Sequence, residues 1–178
     1  MAESKTYAAL LRGVNVGGKN KLPMGDLRQI CGELELEGAL TYVQSGNLVF
    51  RTTATAKETG SRIEGAIAER FGLEIAVLLR THAELTKIAE SAPFPADDPK
   101  KLHVLFLSDR PVAAAASSLD PERSPGDEFR LSGRELYLYY SNGSGRTKLT
   151  LDYFERRLGV SGTARNWNTL LKLAELTA

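Results

Sequence analysis

Cysteine and histidine are scarce in this sequence, which holds one cysteine, Cys31, and two histidines, His82 and His103, among 178 residues. A single cysteine cannot form a disulfide within the chain, so we expect a fold without such bridges and a cytoplasmic location. Neither histidine has a second ligand at a metal-binding spacing, so the sequence does not support a zinc-type site. We therefore predict neither a metal nor a cofactor.

Long apolar runs and a strong charge of either sign are also lacking. No window approaches the roughly 18 apolar residues of a membrane-spanning helix, and the first residues, MAESKTYAALLRG, do not resemble a signal peptide. The balance of 23 basic and 22 acidic side chains argues against wholesale coating of nucleic acid but allows a local basic patch. These features predict a soluble protein of bacterial type with no membrane partner.

The hydrophobic pattern of residues 1–81 predicts the element order β-α-β-β-α-β. One helical stripe runs from Leu27 to Leu34, and a second runs from Ile63 to Phe71 and closes at Gly72. Strands are predicted at 6–11, 40–43, 48–51 and 74–80. This is the order of a split βαβ, ferredoxin-like plait, in which right-handed crossovers place both helices on one face of an antiparallel sheet.

The rest of the chain predicts a second α+β unit after a boundary segment. Residues 82–101 read as a helix and a proline-rich linker, and residues 102–178 read as β-α-β-β-α-α. In this second plait a helix over 165–176 takes the place of the final strand. The predicted fold class is therefore α+β, with two ferredoxin-like subdomains and no close internal sequence repeat.

Three blocks of the sequence carry a family resemblance. The segments ALLRGVNVGGKNKLPM, YVQSGNLVF and TARNWNTLLKLAEL are similar to the signature blocks of domain-of-unknown-function family 1697, a group of small bacterial proteins. The resemblance extends over residues 7–176 and implies two plait-like α+β subdomains. It implies no activity and supplies no catalytic residues.

The first of these blocks contains a basic, glycine-rich loop that connects the first strand to the first helix. Glycines there permit a backbone that turns several N–H groups toward one acceptor, and the start of the following helix favours anions. Its spacing matches neither a Walker loop nor a dinucleotide-binding turn. The alternative is a solvated turn with no ligand. The candidate ligand-binding residues of this loop are Arg12, Gly13, Asn15, Gly17, Gly18, Lys19, Asn20 and Lys21.

The second block contains QSGN, which predicts a hairpin turn with positive φ at Gly46 and Asn47. Its polar side chains are suited to a ligand, but turn chemistry alone favours hydrogen bonds that close the hairpin. We expect this hairpin and the opening loop to lie at opposite ends of the sheet. On that expectation the two do not build one pocket.

The third block adds two candidate residues, Arg165 and Asn166, in the first turn of a helix that Thr163 is placed to cap. Arg146 and Lys148 of the upstream segment GSGRTK are further cations. We hypothesise that these groups and the opening loop share one cleft.

The leading functional hypothesis is a cytosolic module that binds an anionic, phosphate-bearing ligand at the opening loop. An enzyme of unknown chemistry with a site between the subdomains is one alternative, although no catalytic residue stands out and Cys31 lies on an apolar helical stripe. RNA binding is a second alternative, for which Tyr42 and Phe50 are the available strand aromatics. A purely structural or oligomeric role is the third.

Overall fold

The computed structural model describes residues 2–178, which form two compact units. Of these residues, the first unit comprises those up to Thr86 together with Leu173–Ala178, and the second comprises Lys87–Lys172. Each unit contains its own four-stranded antiparallel sheet. The chain is therefore an α+β protein built from two ferredoxin-like subdomains, as the sequence predicts.

The elements of the first unit follow the predicted β-α-β-β-α-β order. Helix α2 begins with a capping box at Thr55 and Glu58 and ends at Gly72, whose φ is +66°, so both ends carry the signals that define helix termini. The bounds are β1 Lys5–Leu11, α1 Met24–Glu33, β2 Glu37–Tyr42, β3 Asn47–Thr52, α2 Ala56–Phe71 and β4 Val77–Thr81. The next helix, α3 His82–Glu90, begins in the first unit and ends in the second.

The first sheet has the strand order β2-β3-β1-β4. Its central strand β1 pairs antiparallel with β3, placing Leu10 opposite Asn47, and antiparallel with β4, placing Leu11 opposite Val77. One face of β1, including Tyr7, packs with both helices in a single apolar core. The alternate residues of β1, Ala8 and Leu10, are fully buried as well, which agrees with a strand covered on both faces.

The second unit repeats this arrangement with the strand order β6-β7-β5-β8. Its core joins residues of β5 and β7 to the helix α5. The bounds are β5 Leu102–Leu107, α4 Ala113–Ser117, β6 Glu128–Ser132, β7 Glu135–Tyr139, α5 Leu151–Leu158 and β8 Gly162–Asn166. The last helix, α6 Trp167–Leu176, begins in the second unit and ends in the first.

The predicted β-α-β-β-α-α order of the second unit is wrong, because residues 162–166 form β8 rather than the start of a helix. This strand pairs antiparallel with β5, with Arg165 opposite Val104. Gly162 fits only because it has no side chain, since an added β-carbon would lie 2.8 Å from the Phe106 carbonyl oxygen. The apolar spacing after Trp167 marks a real helix, but the five residues before it were too few for period-2 alternation to show.

The chain also contains a short, diverged sequence repeat, although no close repeat was expected. Residues 80–90, RTHAELTKIAE, and residues 165–175, RNWNTLLKLAE, have identical amino acids at five of eleven positions. In both segments the last strand of a plait passes into a helix without a loop, at Thr81–His82 and at Asn166–Trp167. The repeat is visible once the matching strand–helix junctions are known.

Candidate functional site

The opening loop and the hairpin turn lie at the same end of the first sheet, so the prediction that they lie at opposite ends is wrong. Strands β1 and β2 both run antiparallel to β3, and two strands antiparallel to a third must be parallel to each other. The C-terminal ends of β1 and β2 therefore lie at the same end of the sheet. The Leu11 amide donates a hydrogen bond to the Gly46 carbonyl at 2.9 Å, which joins the start of the loop to the turn.

Asn15 holds these two segments together. Its Nδ2 donates to the Gln44 carbonyl at 2.8 Å and to the Leu22 carbonyl at 3.0 Å. Its Oδ1 accepts a hydrogen bond from the Leu22 amide at 2.8 Å. Asn15 has a φ of +54°, a conformation that asparagine tolerates better than most residues. One side chain therefore satisfies three backbone groups and fixes the loop against the turn.

The middle of the loop is a small hairpin that extends from this junction. The Asn15 amide donates to the Asn20 carbonyl at 3.1 Å, and the Lys19 amide donates to the Val16 carbonyl at 3.0 Å. Gly17 and Gly18 occupy the turn with φ values of +58° and +74°, as a two-residue glycine turn requires. Residues 16–20 therefore form an exposed small hairpin, which we call the finger.

The side chains at the base of the finger are also ordered. Asn20 has a φ of +49°, and its Nδ2 donates to the Gly13 carbonyl at 3.0 Å. Arg12 is half-buried at the start of the loop, and its amide donates to the Ala76 carbonyl at 2.9 Å. Lys19 and Lys21 are exposed. The predicted loop residues are thus brought together, with two cations facing solvent.

Helix α1 begins beside this loop without a side-chain cap. Pro23 is its N-cap residue, and no side chain there accepts a hydrogen bond from the first turn. By contrast, Thr55 caps α2 and Thr150 caps α5 through their side chains. The first-turn N–H groups of α1 therefore keep their capacity to bind an acceptor.

Arg28 places a further cation over this helix end. Its Nη1 donates to Thr41 Oγ1 at 2.9 Å, and its Nη2 lies 3.9 Å from the position that a β-carbon would take at Gly25. The carboxylate of Asp26 lies in the same first turn. Residues 12–28 carry four basic side chains and this one acid, so the region has a local charge of about +3 at neutral pH.

The hairpin turn differs from its predicted conformation. Gly46 has the expected positive φ of +85°, but the other positive value belongs to Val43 at +51° and not to Asn47. Asn47 is instead a buried β3 residue whose Nδ2 donates to the Tyr42 carbonyl at 3.0 Å. Asn47 thus closes the hairpin through its side chain, and Val43 is the residue that has the strained positive φ.

Of the two candidate residues in the second unit, Asn166 lies at the start of a helix as predicted, whereas Arg165 does not. Arg165 lies in β8 and is 7% exposed, with Nη1 donating to Thr163 Oγ1 at 2.7 Å and to the Ala164 carbonyl at 2.8 Å. Burial lowers its pKa to about 10. Thr163 is a buried strand residue rather than the cap. Asn166 is the residue that caps α6, because its Oδ1 accepts from the Thr169 amide at 2.9 Å.

A second polar cluster in this unit is centred on Asp127 and fixes two loops. Asp127 Oδ2 accepts from Ser124 Oγ at 2.8 Å, and Oδ1 accepts from the Ser141 amide at 2.9 Å. Burial alone would raise the pKa of this carboxyl, but hydrogen bonds from Thr147, Ser124 and Ser141 hold it below its ordinary value. The cluster has the properties of a structural clamp between residues 124–127 and 141–148.

Other chemistry is sparse in the part of the chain that the structure describes. Burial raises the pKa of the Cys31 thiol to about 11, so this cysteine is a poor nucleophile at neutral pH. Within residues 2–178, no three His, Cys, Asp or Glu side chains stand together as a metal site would require. No helix among these residues has the length and apolar character to cross a membrane.

Sequence reasoning missed two contributors to the loop end of the first sheet, Arg28 and Thr41, and it set aside a third, Gln44, because turn chemistry favoured hydrogen bonds within the hairpin. Arg28 follows Gly25 by three positions on α1, the spacing at which a long side chain reaches back over the first turn, so this signal was readable. The contribution of Thr41 and Gln44 depends on the directions of the strands in the sheet. It could be predicted only if the order and direction of these strands were already known.

Comparison with known proteins assigns the chain to a family. The family model described as "Protein of unknown function (DUF1697)" matches residues 4–137, which is most of the chain. The chain belongs to this family. The DUF1697 match includes the finger, the hairpin turn and the first turn of α1, whereas Arg165 and Asn166 lie outside it.

The DUF1697 fold has a solved counterpart in a conserved bacterial protein, SP0830 from Streptococcus pneumoniae. The two chains are 24% identical, with a TM-score of 0.77 over 99% of this chain and 100% of the other. At this identity the likeness shows the shared fold alone. None of the curated proteins compared with this DUF1697 chain matches it.

Proposed function

We propose that this protein is a cytosolic module that binds a phosphate-bearing anion at the loop end of its first sheet. The observation that carries the proposal is the Asn15 junction, which holds a basic loop beside the uncapped start of α1. Anions bind at such helix ends because the N–H groups and the helix dipole point the same partial charge outward. A preformed loop also lowers the entropic cost of ordering the site.

The charges near this helix end support an anionic ligand over a neutral or cationic one. Arg28 lies over the first turn, and Lys21 is exposed two residues before the N-cap residue. A guanidinium can donate two parallel hydrogen bonds to a phosphate. Asp26 opposes binding with one negative charge, but the four cations of residues 12–28 outnumber it.

The alternative of RNA bound to an open sheet face has less support. Phe50 is 1% exposed and belongs to the first core, and the central strand β1 is buried on both faces. Tyr42 is half-buried at the end of β2. Base stacking on strand aromatics, the usual mode of plait-type RNA binding, therefore has little surface to use. The proposed partner remains a small phosphorylated ligand.

A titration with inorganic phosphate and pyrophosphate, followed by amide chemical shifts, tests this function. We expect shifts at residues 12–28 and 43–46, with weaker binding as the ionic strength rises because salt screens exposed charges. Arg28→Ala and Lys21→Ala should each weaken binding by about tenfold, since one charge-assisted hydrogen bond is worth about 1.5 kcal/mol.

A matched control is available in Arg156→Ala. Arg156 is an exposed helical arginine of the second unit, paired with Asp152 at 3.2 Å, and its loss should leave the titration unchanged. Pyrophosphate binding that is insensitive to both Arg28→Ala and Lys21→Ala, or an absence of binding in low salt, would overturn the proposal.

A further inference from the structure

The second sheet has an open edge at β6. In the strand order β6-β7-β5-β8, strand β6 is an outer strand, and it pairs with β7 alone within residues 2–178. Exposed and partly buried residues alternate along all five of its positions. The N–H and C=O groups on the outer side of such a strand are available to a further strand, which is why proteins usually block exposed edges.

The corresponding edge of the first sheet is blocked, whereas β6 is not. The register of β2 shifts between Glu37 and Leu40, and Gly38 has a φ of +60°, so a bulge interrupts that edge. By contrast, the pairing of β6 with β7 is regular from Glu128 to Ser132. The segment EFRLS also contains neither proline nor lysine. Strand β6 can therefore accept a further strand along its length.

The turn between β6 and β7 determines which backbone groups face outward. Residues 133–134 connect Ser132 to its partner Glu135, and the residues that flank a two-residue hairpin turn exchange both main-chain hydrogen bonds. Bonded and non-bonded pairs alternate along an antiparallel ladder. The N–H and C=O groups of Phe129 and Leu131 therefore point away from β7, while their side chains pack against the core of the unit.

The exposed side chains of β6 carry charges of opposite sign. Glu128 and Arg130 lie on the same face of the strand, and neither makes an ion pair within residues 2–178. An antiparallel copy of β6 centred on Phe129 places Glu128 of each chain opposite Arg130 of the other, whereas a copy centred on Arg130 places two arginines opposite each other. Opposite charges at facing positions stabilise strand pairing, and like charges oppose it. Strand β6 is therefore self-complementary in the first of these registers.

We infer that two copies of this chain associate through β6, with the two strands antiparallel about a two-fold axis at Phe129. In this register the Phe129 N–H of each copy donates to the Phe129 carbonyl of the other. The turn at residues 132–134 of one copy then lies beside residues 124–126 of the other, where a cavity of about 510 Å³ is lined in part by Gly126. This interface is independent of the proposed anion-binding function.

Analytical ultracentrifugation of the full-length protein, at concentrations from about 10 µM to about 1 mM, tests the inference. A contact between two five-residue strands is small, so we expect a reversible dimer with a Kd on the order of 0.1 mM. Its dissociation should increase with ionic strength, because salt screens exposed charges. A protein that stays monomeric at about 1 mM in low salt would overturn the inference.

Charge reversal tests the register. Arg130→Glu and Glu128→Arg each replace two attractive pairs by two repulsive ones, so each should raise the dimer Kd at least about tenfold. The double variant restores both pairs with the signs exchanged and should return the Kd to within about twofold of the parent value. Glu37→Arg is the matched control, because Glu37 is exposed on the edge strand of the first sheet. An unchanged Kd in both single variants, or a loss that the double variant does not restore, would contradict this register.

Amide hydrogen exchange identifies the surface that the dimer uses. The Phe129 amide should exchange about fourfold more slowly at 1 mM than at 10 µM, because mass action depletes the monomer by about that factor. The Arg130 amide points toward β7 in the same ladder, so it should be protected at both concentrations. A dimer in which the Phe129 amide exchanges as it does in dilute protein uses another surface, and the inference would then be wrong.

Discussion

Gly46 lies so close to Val14 that a β-carbon added to the glycine would overlap the Val14 Cγ2 methyl group, and it would lie 2.9 Å from Leu11 Cβ. Its φ of +85° adds a conformational reason for glycine. The turn and the loop therefore approach each other to a distance that no side chain at this position allows.

Gly46→Ala should lower the free energy of unfolding by about 2–4 kcal/mol, through overpacking against two fixed side chains and strain at positive φ. Chemical denaturation measures this change. Gly143→Ala is the control, since Gly143 has a φ of +79° but no atom within 4 Å of the added carbon. It should cost only about 1 kcal/mol, the conformational part. Equal losses in the two variants would contradict the close approach.

Asn15→Gly keeps a residue suited to positive φ but removes all three hydrogen bonds of the side chain. We expect a loss of about 2 kcal/mol in stability, because several backbone groups lose their partner at once. Hydrogen exchange should accelerate most at Leu22, whose amide donates to the Asn15 side chain.

Asn20→Gly provides the comparison for this prediction. Asn20 also has a positive φ, but its side chain makes one hydrogen bond, to the Gly13 carbonyl. Its replacement should cost about 1 kcal/mol or less and leave the exchange rate at Leu22 near that of the parent protein. If the two variants behave alike, Asn15 is not the residue that joins the loop to the turn.

His103 makes the stability depend on pH in the range where histidine titrates. Burial lowers the pKa of its imidazole below the ordinary value, so the unfolded chain binds a proton before the folded chain does as the pH falls. Stability should therefore decrease as the pH falls from about 6.5 toward the folded-state pKa. In His103→Phe this decrease should be smaller, and thermal melts at several pH values measure it.

The phenylalanine in that variant retains an aromatic ring beside Tyr140, whose ring centroid is 5.0 Å from that of His103. Packing is thus largely preserved, and the pH dependence can be separated from the loss of a contact. If the stability of His103→Phe changes with pH in the same way as that of the parent protein between about pH 5 and 7, His103 is not the source of the pH dependence.

Asp127→Asn should weaken the clamp in the second unit. The carboxylate accepts hydrogen bonds from Ser124 and Ser141, and an amide nitrogen cannot accept the one from Ser124. We expect a loss of about 1–3 kcal/mol at neutral pH, the cost of a buried hydrogen-bond mismatch.

The same substitution has a predictable acid dependence. Because the folded-state pKa of Asp127 lies below its ordinary value, its stabilising contribution is present above the unfolded pKa and is lost as the pH falls through the folded one. The stability difference between parent and Asp127→Asn should therefore shrink below about pH 4. A difference that is constant with pH would show that the carboxylate charge is not involved.

Periodicity predicted the fold well where elements were long. The stripe ending at Phe71 and Gly72 predicted α2 correctly, and the apolar run 102–107 is β5. It failed at β8, where five residues pass directly into α6 and the helical spacing after Trp167 dominates the pattern. A short strand joined to a helix without a turn carries no boundary signal.

The basic loop of the candidate site was predictable from the sequence, but the hairpin turn that lies beside it was not. Composition identified the basic loop around Lys19, but which turn faces it depends on the directions of three strands, which are set by pairing across the sheet. The conformation of the turn itself was also misjudged, because Asn47 packs into β3 and Val43 takes the positive φ. Tertiary packing overrode local turn preference at both positions.

The matching segments that begin at Arg80 and Arg165 form the same strand–helix junction in each unit. This is the pattern that duplication of an ancestral half-length gene produces. The two units differ in the connection that follows their first strand, since residues 12–23 connect β1 to α1 whereas only residues 108–112 connect β5 to α4. A plait therefore forms with the shorter connection, and the additional length of the opening loop is not required by this fold.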